Sequence, residues 1–219
     1  MCKENVFIHS IEKRFCEVTG IDTDMSVERI YDENTQQKTT DEDRRNYGFV
    51  TTPLWLVDNM IYSLIENETA YQGKTYLDLC SGCGQFSVRL IRILWYKYKR
   101  NNDDGRNNSD FNLGKFIHEK LYFSELNPES VAKLFYIFKN KINIFIGDST
   151  LLDKTPDECH GAMFYNKESK TWKNNTDFDN EVEEALKIES VKCIPVITEI
   201  VKKYTEKVFN ESIQIEFDF

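Results

Sequence analysis

Tyr76-Leu77-Asp78-Leu79-Cys80-Ser81-Gly82-Cys83-Gly84-Gln85-Phe86 is an apolar run that breaks at two glycines, one residue apart, and then turns helical. The pattern predicts a strand, a tight turn and a helix N-terminus. Gly82 and Gly84 can take backbone angles that other residues avoid, and with no side chain they let a ligand approach the main chain and the first N–H groups of the helix. A glycine pair after a strand is often only a turn, so its meaning depends on what flanks it.

Downstream, Phe86, Leu90, Ile93 and Leu94 share one helix face, and the helix is expected to end near Lys99. Residues 100–112, rich in Asn, Asp, Gly and Ser, read as an exposed loop. Leu121-Tyr122-Phe123-Ser124-Glu125 reads as a second strand ending in a carboxylate. Pro128 then opens a helix in which Val131, Leu134, Phe135 and Phe138 repeat at helical spacing. Residues 142–148, Ile-Asn-Ile-Phe-Ile-Gly-Asp, form a third strand that again ends in an acid. Strand, helix, strand, helix, strand in this order predicts a parallel, right-handed α/β unit, in which ligands sit at the carboxyl ends of the strands. Asp78, Glu125 and Asp148 fall at or near that edge, beside the glycine turn. A lone strand-end acid is ordinarily a cap; three sharing an edge with Gly82 and Gly84 favour a binding site.

Upstream, Val6, Phe7, Ile11, Phe15 and Val18 predict a helix over residues 3–19, stopped by Thr19-Gly20. A second short helix is expected at 24–33, followed by a polar linker to Arg45. Pro53 is placed for the first turn of a helix capped by Thr51 or Thr52, burying Leu54, Val57, Met60, Ile61 and Leu64. Beyond Ser149 the sequence says less. Residues 149–180 look polar and irregular, and 181–209 mainly helical with a short strand near 191–197 interrupted by Pro195. Residues 212–219 alternate like a last strand. The expected organisation is an N-terminal helical segment and linker over 1–46 and an α/β domain over 47–219.

With 219 residues, 40% hydrophobic content, 15 Phe and 11 Tyr, the chain can fill one substantial core. A net charge of -9 argues against non-specific coating of nucleic acid. The N-terminus lacks a signal-peptide pattern, no stretch approaches the roughly 20 apolar residues of a membrane span, and the six cysteines are scattered. A cytoplasmic chain with thiols and no membrane or metal partner is expected. Cys80 and Cys83 with Cys159-His160 are formally zinc ligands, but the first pair lies within the glycine turn and no second close pair exists. His9, His118 and His160 accompany no nucleophile motif and read as surface or capping residues. Tyr165 and Trp172 among lysines could stack a base; an anchoring aromatic in an ordinary loop is the plainer reading.

At these residues the chain resembles the class I S-adenosylmethionine-dependent methyltransferases, and most closely the adenine-specific (N6) DNA methyltransferases of restriction–modification systems. Asp78-Leu79-Cys80-Ser81-Gly82-Cys83-Gly84-Gln85-Phe86 is similar to that group's Asp-Pro-x-x-Gly-x-Gly-x-Phe motif, with Leu79 in place of proline. Tyr47-Gly48-Phe49-Val50-Thr51-Thr52-Pro53 is similar to the Gly-x-x-x-Thr-Pro segment that precedes it. The resemblance spans residues 47–150. It implies a Rossmann-like, mostly parallel sheet with helices on both faces and S-adenosylmethionine as cofactor. It also implies a set of cofactor-binding residues: Tyr47, Thr52, Pro53, Asp78, Gly82, Gly84, Phe86, Glu125 and Asp148. In that set Glu125 accepts hydrogen bonds from the ribose hydroxyls and Asp148 one from the adenine amine, the Gly82–Gly84 turn passes beneath the methionine part, and Phe86 supports the turn. A nicotinamide dehydrogenase is the competing use of the topology, with Ser87 as the third small residue. Its ribose acid is expected roughly 20 residues on, far short of Glu125, although a loop at 100–112 could lengthen that spacing in either family. The Thr-Pro segment decides for the methyltransferase.

The chain departs from the family at the catalytic tetrapeptide, Asn/Asp-Pro-Pro-Tyr/Phe, because its four prolines are Pro53, Pro128, Pro156 and Pro195 and no two are adjacent. Three readings follow: one part of a split adenine methyltransferase acting on DNA through a second subunit, a catalytically silent S-adenosylmethionine-binding homologue with a regulatory or anti-restriction role, or a methyltransferase for another substrate.

Overall fold

Hydrophobic spacing determines the helices of the first unit. The computed structural model describes residues 3–21, 52–65, 74–100, 112–139, 142–154 and 159–213; the expected helix at 24–33, the 46/47 boundary and Tyr47 lie outside them. Two compact units are formed, residues 1–75 with 84–116, and residues 76–83 with 117–219.

In the first unit α1 (Lys3–Thr19) buries Ile8, Ile11 and Phe15 and stops where the sequence indicated, with Gly20 N–H donating to the Cys16 carbonyl at 2.8 Å. Pro53 opens α2 (Leu54–Ile65), its carbonyl accepting from the Leu56 and Val57 N–H groups. The buried face of α2 is Leu54, Val57, Asp58, Ile61 and Ile65. Met60 and Leu64, expected inside, are 52% and 64% exposed. The stripe is rotated because Asp58 sits on it, held by a helix partner. That partner is Arg89 on α3 (Gln85–Arg100), whose guanidinium forms a fork on Asp58, Nε to Oδ1 at 2.7 Å and Nη2 to Oδ2 at 2.6 Å. Both side chains are nearly dry. A second pair, Arg92 with Glu12 at 3.2 Å, joins α3 to α1.

The second unit is a five-stranded sheet in the order β1-β2-β3-β4-β5: β1 (Tyr76–Leu79), β2 (Leu121–Glu125), β3 (Asn143–Ile146), β4 (Ala162–Asn166) and β5 (Thr171–Asn174). The first three ladders are parallel and β4–β5 is antiparallel. The fold is therefore α/β with a mostly parallel sheet, compatible with a Rossmann-like arrangement. The order runs straight through, however, with β4 beside β3 and β1 at the edge, so the reversal that defines a doubly wound sheet is absent among the described strands. Leu77 and Leu79 on that edge strand are 51% and 55% exposed.

One face of the sheet, through Phe123 and Phe164, packs on α5 (Pro128–Phe138), α6 (Thr176–Ala185) and α7 (Cys193–Ile213). Phe178 of α6 is at its centre, in ring contact with Phe135, Phe164 and Tyr204. The other face carries Phe145, Met163 and Trp172, packed with Cys159, Leu151 and Leu152. At the amino ends of the strands Asn143 is fully buried and satisfied. Its amide donates to the carbonyl of His118, in α4 (Leu113–Lys120), and to that of Leu121, and its oxygen accepts from Gly161 N–H.

Two expectations beyond residue 149 are corrected, and a third falls mostly outside the described residues. The described residues of 149–180 form a 3₁₀ turn (Ser149–Lys154), β4, β5 and the start of α6. The short strand expected at 191–197 is a 3₁₀ turn (Ser190–Lys192) running into the beginning of α7, where Pro195 falls in the first turn and its missing N–H removes no helix bond. Ser212 and Ile213 belong to α7 as well, and residues 214–219 lie outside the described residues.

Replacing Asp58 by alanine strands the Arg89 charge in a buried site. It is expected to lower stability by about 3–5 kcal/mol, read as a fall in the urea midpoint at unchanged slope; a loss below about 1 kcal/mol would contradict the pairing.

Candidate functional site at the carboxyl edge of the sheet

The backbone of the glycine turn is left-handed where the sequence required it. Gly82 has φ 53° and Gly84 φ 82°, and Cys80, a residue that rarely adopts such angles, has φ 56°. The turn is anchored to β2 through Ser81, whose N–H donates to the Ser124 carbonyl at 2.9 Å. From Gly84, whose carbonyl accepts from Val88 N–H, the chain enters α3.

Glu125, at the end of β2, is the centre of the second unit's carboxyl edge. Its Oε2 accepts from Gly82 N–H at 2.6 Å, and its Oε1 accepts from Leu126 N–H at 2.8 Å and Asn127 N–H at 2.7 Å. Its backbone carbonyl takes Gly147 N–H from the end of β3 at 3.1 Å. One residue thus ties the glycine turn, the entry to α5 and the β3 end together. Burial pushes the Glu125 carboxyl above its ordinary value of 4.5, and the N–H groups of Asn127, Gly82 and Leu126 pull it part of the way back. A carboxylate has about four acceptor positions; three are used, which leaves one on Oε2 for a further donor. Glu125, expected to face the ribose hydroxyls, is thus mostly engaged with the backbone N–H groups of Gly82, Leu126 and Asn127.

Asp148, beyond β3, is exposed. Its Oδ1 accepts from the backbone N–H of Thr150 at 2.9 Å and from the Thr150 hydroxyl at 2.8 Å, and these bonds hold its carboxyl below the ordinary range. Asp78 is partly buried on the sheet face shared with Glu125. The structure therefore brings together Asp78, Gly82, Glu125 and Asp148 within one unit. Thr52, Pro53, Gly84 and Phe86 belong to the other, where the Thr52 carbonyl accepts from Gln85 Nε2 at 2.8 Å; Tyr47 lies outside the described residues.

Sequence reasoning missed four contributors. Asn127 is buried and caps α5, its Oδ1 accepting from Glu129 and Ser130 N–H; the Asn-Pro pair at residues 127–128 was a readable signal. Leu126 presents a 40% exposed apolar side chain beside Glu125. Ser149 Oγ lies 3.4 Å from Cys80 Sγ, linking the turn to the β3 end. Thr150 fixes Asp148. Trp172, weighed as a base-stacking residue, is 2% exposed in the core, and so is closed to a base.

Among the described residues no three His, Cys, Asp or Glu side chains form a metal-binding group, and no helix is long and apolar enough to cross a membrane. No family model, curated protein or solved structure matches the chain.

Because the folded-state pKa of Glu125 is raised, its contribution is greatest below the ordinary value, where both states are protonated, and is lost as pH rises through the folded-state pKa. The stability of the wild-type chain relative to Glu125→Gln is therefore expected to fall progressively as pH is raised above the ordinary carboxyl value of 4.5. Urea midpoints of both proteins across that range give the difference, and one that stays flat or rises contradicts the assignment.

Proposed function

We propose that the carboxyl edge of the sheet binds S-adenosylmethionine, and that the chain is the cofactor-binding part of an adenine-N6 DNA methyltransferase whose target-base residues lie on another polypeptide segment. The observation that carries this reading is the bond from Gly82 N–H to Glu125 Oε2. In a dinucleotide-binding turn the glycine amides and the helix N-terminus are offered to a pyrophosphate. Here the Gly82 amide is already satisfied by a carboxylate, and Asp78 and Asp148 add negative charge at the same edge. Such a site repels a diphosphate and favours a ligand with cationic and neutral donor groups. S-adenosylmethionine is such a ligand, with a sulfonium and an ammonium that together outweigh its one carboxylate, two ribose hydroxyls and an adenine amine.

In this assignment the free acceptor position on Glu125 Oε2 takes a ribose hydroxyl, and Asp148, through the oxygen that Thr150 does not use, takes the adenine amine. Leu126 offers the apolar surface on which a planar base rests. The sulfonium supplies an activated methyl group for transfer to an amine. The chain itself contributes binding and orientation. The alternative, a catalytically silent S-adenosylmethionine-binding homologue, shares every contact named here and is favoured by the missing Pro-Pro pair. DNA as substrate, reached through a second subunit, rests on the motif resemblance of residues 47–150.

Calorimetric titration with S-adenosylmethionine, S-adenosylhomocysteine and NAD⁺ tests the reading. The first two are expected to bind and NAD⁺ not to. Glu125→Ala and Asp148→Asn should each weaken binding at least tenfold, about 1.4 kcal/mol. Binding of NAD⁺ alone, or wild-type affinity in both variants, would overturn it.

A further inference from the structure

The carboxyl edge is built by the parallel strands, but the residue that holds one of its acids comes from the antiparallel strand two places beyond β3. Trp172 of β5 is 2% exposed, with its ring in edge contact with Phe145 at 5.1 Å and Tyr165 at 5.5 Å between centroids. Gly147, the residue before Asp148, has φ 148°, and a Cβ there would lie 3.4 Å from Trp172 Cη2 and 3.7 Å from Cζ3. The indole therefore lies close against the chain where it leaves β3, and glycine leaves room for it. On the far side of Asp148 the Trp172 indole N–H donates to the Leu151 carbonyl at 3.2 Å. Leu151 closes the turn, its own N–H donating to the Asp148 carbonyl at 3.2 Å. Trp172 thus grips the Asp148 segment at both ends, one residue before it and three after.

We propose that Trp172 is a positioning residue for the candidate site, setting the place of the Asp148 carboxylate and so the recognition of an adenine amine. The proposal rests on the reading of Asp148 as the acceptor for that amine. Nothing in the sequence suggests the link, because Trp172 lies 24 positions beyond Asp148 and the chain between them is polar.

Trp172→Phe keeps an aromatic ring in the cluster while removing the indole N–H and the outer ring, and is compared with the wild-type chain in two measurements. The first, without ligand, is the carboxyl titration of Asp148 by NMR. In the wild type it is expected below the ordinary carboxyl range, and in Trp172→Phe it should move back up as the Thr150 contacts loosen; an unchanged titration overturns the positioning role. The second compares affinity for S-adenosylhomocysteine with that for its inosine counterpart, which lacks the amine. Trp172→Phe should weaken the adenosine ligand about five- to tenfold and leave the inosine ligand within about twofold. Equal weakening of both would mark general structural damage and overturn the proposal. If the wild-type chain binds neither ligand, the cofactor reading falls while the titration still decides what Trp172 does.

Discussion

A buried carboxylate that accepts three backbone N–H groups is the constraint on which the sheet unit depends. Removing the Glu125 charge from water is costly, and Gly82, Leu126 and Asn127 offset that cost with charge-assisted bonds of 2.6–2.8 Å. Each of those N–H groups is at a point where the chain changes direction. Gly82 is in the turn after β1, and Leu126 and Asn127 form the step from β2 into α5. Without Glu125 these donors have no strand partner. The carboxyl edge is therefore shaped by one side chain, and the glycine backbone angles are the ones that let an N–H reach it.

The same bond changes what the glycine turn can bind. A turn with its N–H groups directed outward is an anion site; a turn whose amide is already donated to a carboxylate is not. The neighbouring acids Asp78 and Asp148 add negative charge at the same edge, and in the proposed reading that polarity favours donors over phosphates. Glycine motifs that look alike in sequence can thus differ in ligand according to which residue at the end of the next strand answers the turn.

Much of this was legible in the sequence and some was not. The glycine turn, the three parallel strands and their terminal acids follow from apolar runs bounded by Gly, Pro and Asp, signals of short range. The rotated face of α2 was not legible, because burial of Asp58 depends on Arg89, a partner 31 positions away. Residues 149–180 looked irregular because β4 and β5 are five and four residues long, too short for alternation to stand out against a polar background. The engagement of Glu125 by the N–H groups of Gly82, Leu126 and Asn127 depends on geometry that no spacing encodes. The strand order was hidden for a related reason: periodicity identifies strands but not their neighbours, and no spacing places β4 beside β3 with β1 at the edge of the described sheet.

The claim at the centre of this account is that a nucleoside ligand is held at the Glu125 carboxylate. Amide NMR of the chain during titration with S-adenosylhomocysteine addresses it most directly, since Gly82, Leu126 and Asn127 report on that carboxylate through their own N–H bonds. The account predicts that these three signals, together with Thr150 beside Asp148, shift saturably with one common dissociation constant. Saturable binding that leaves all four signals in place, or no response up to millimolar ligand, would contradict it.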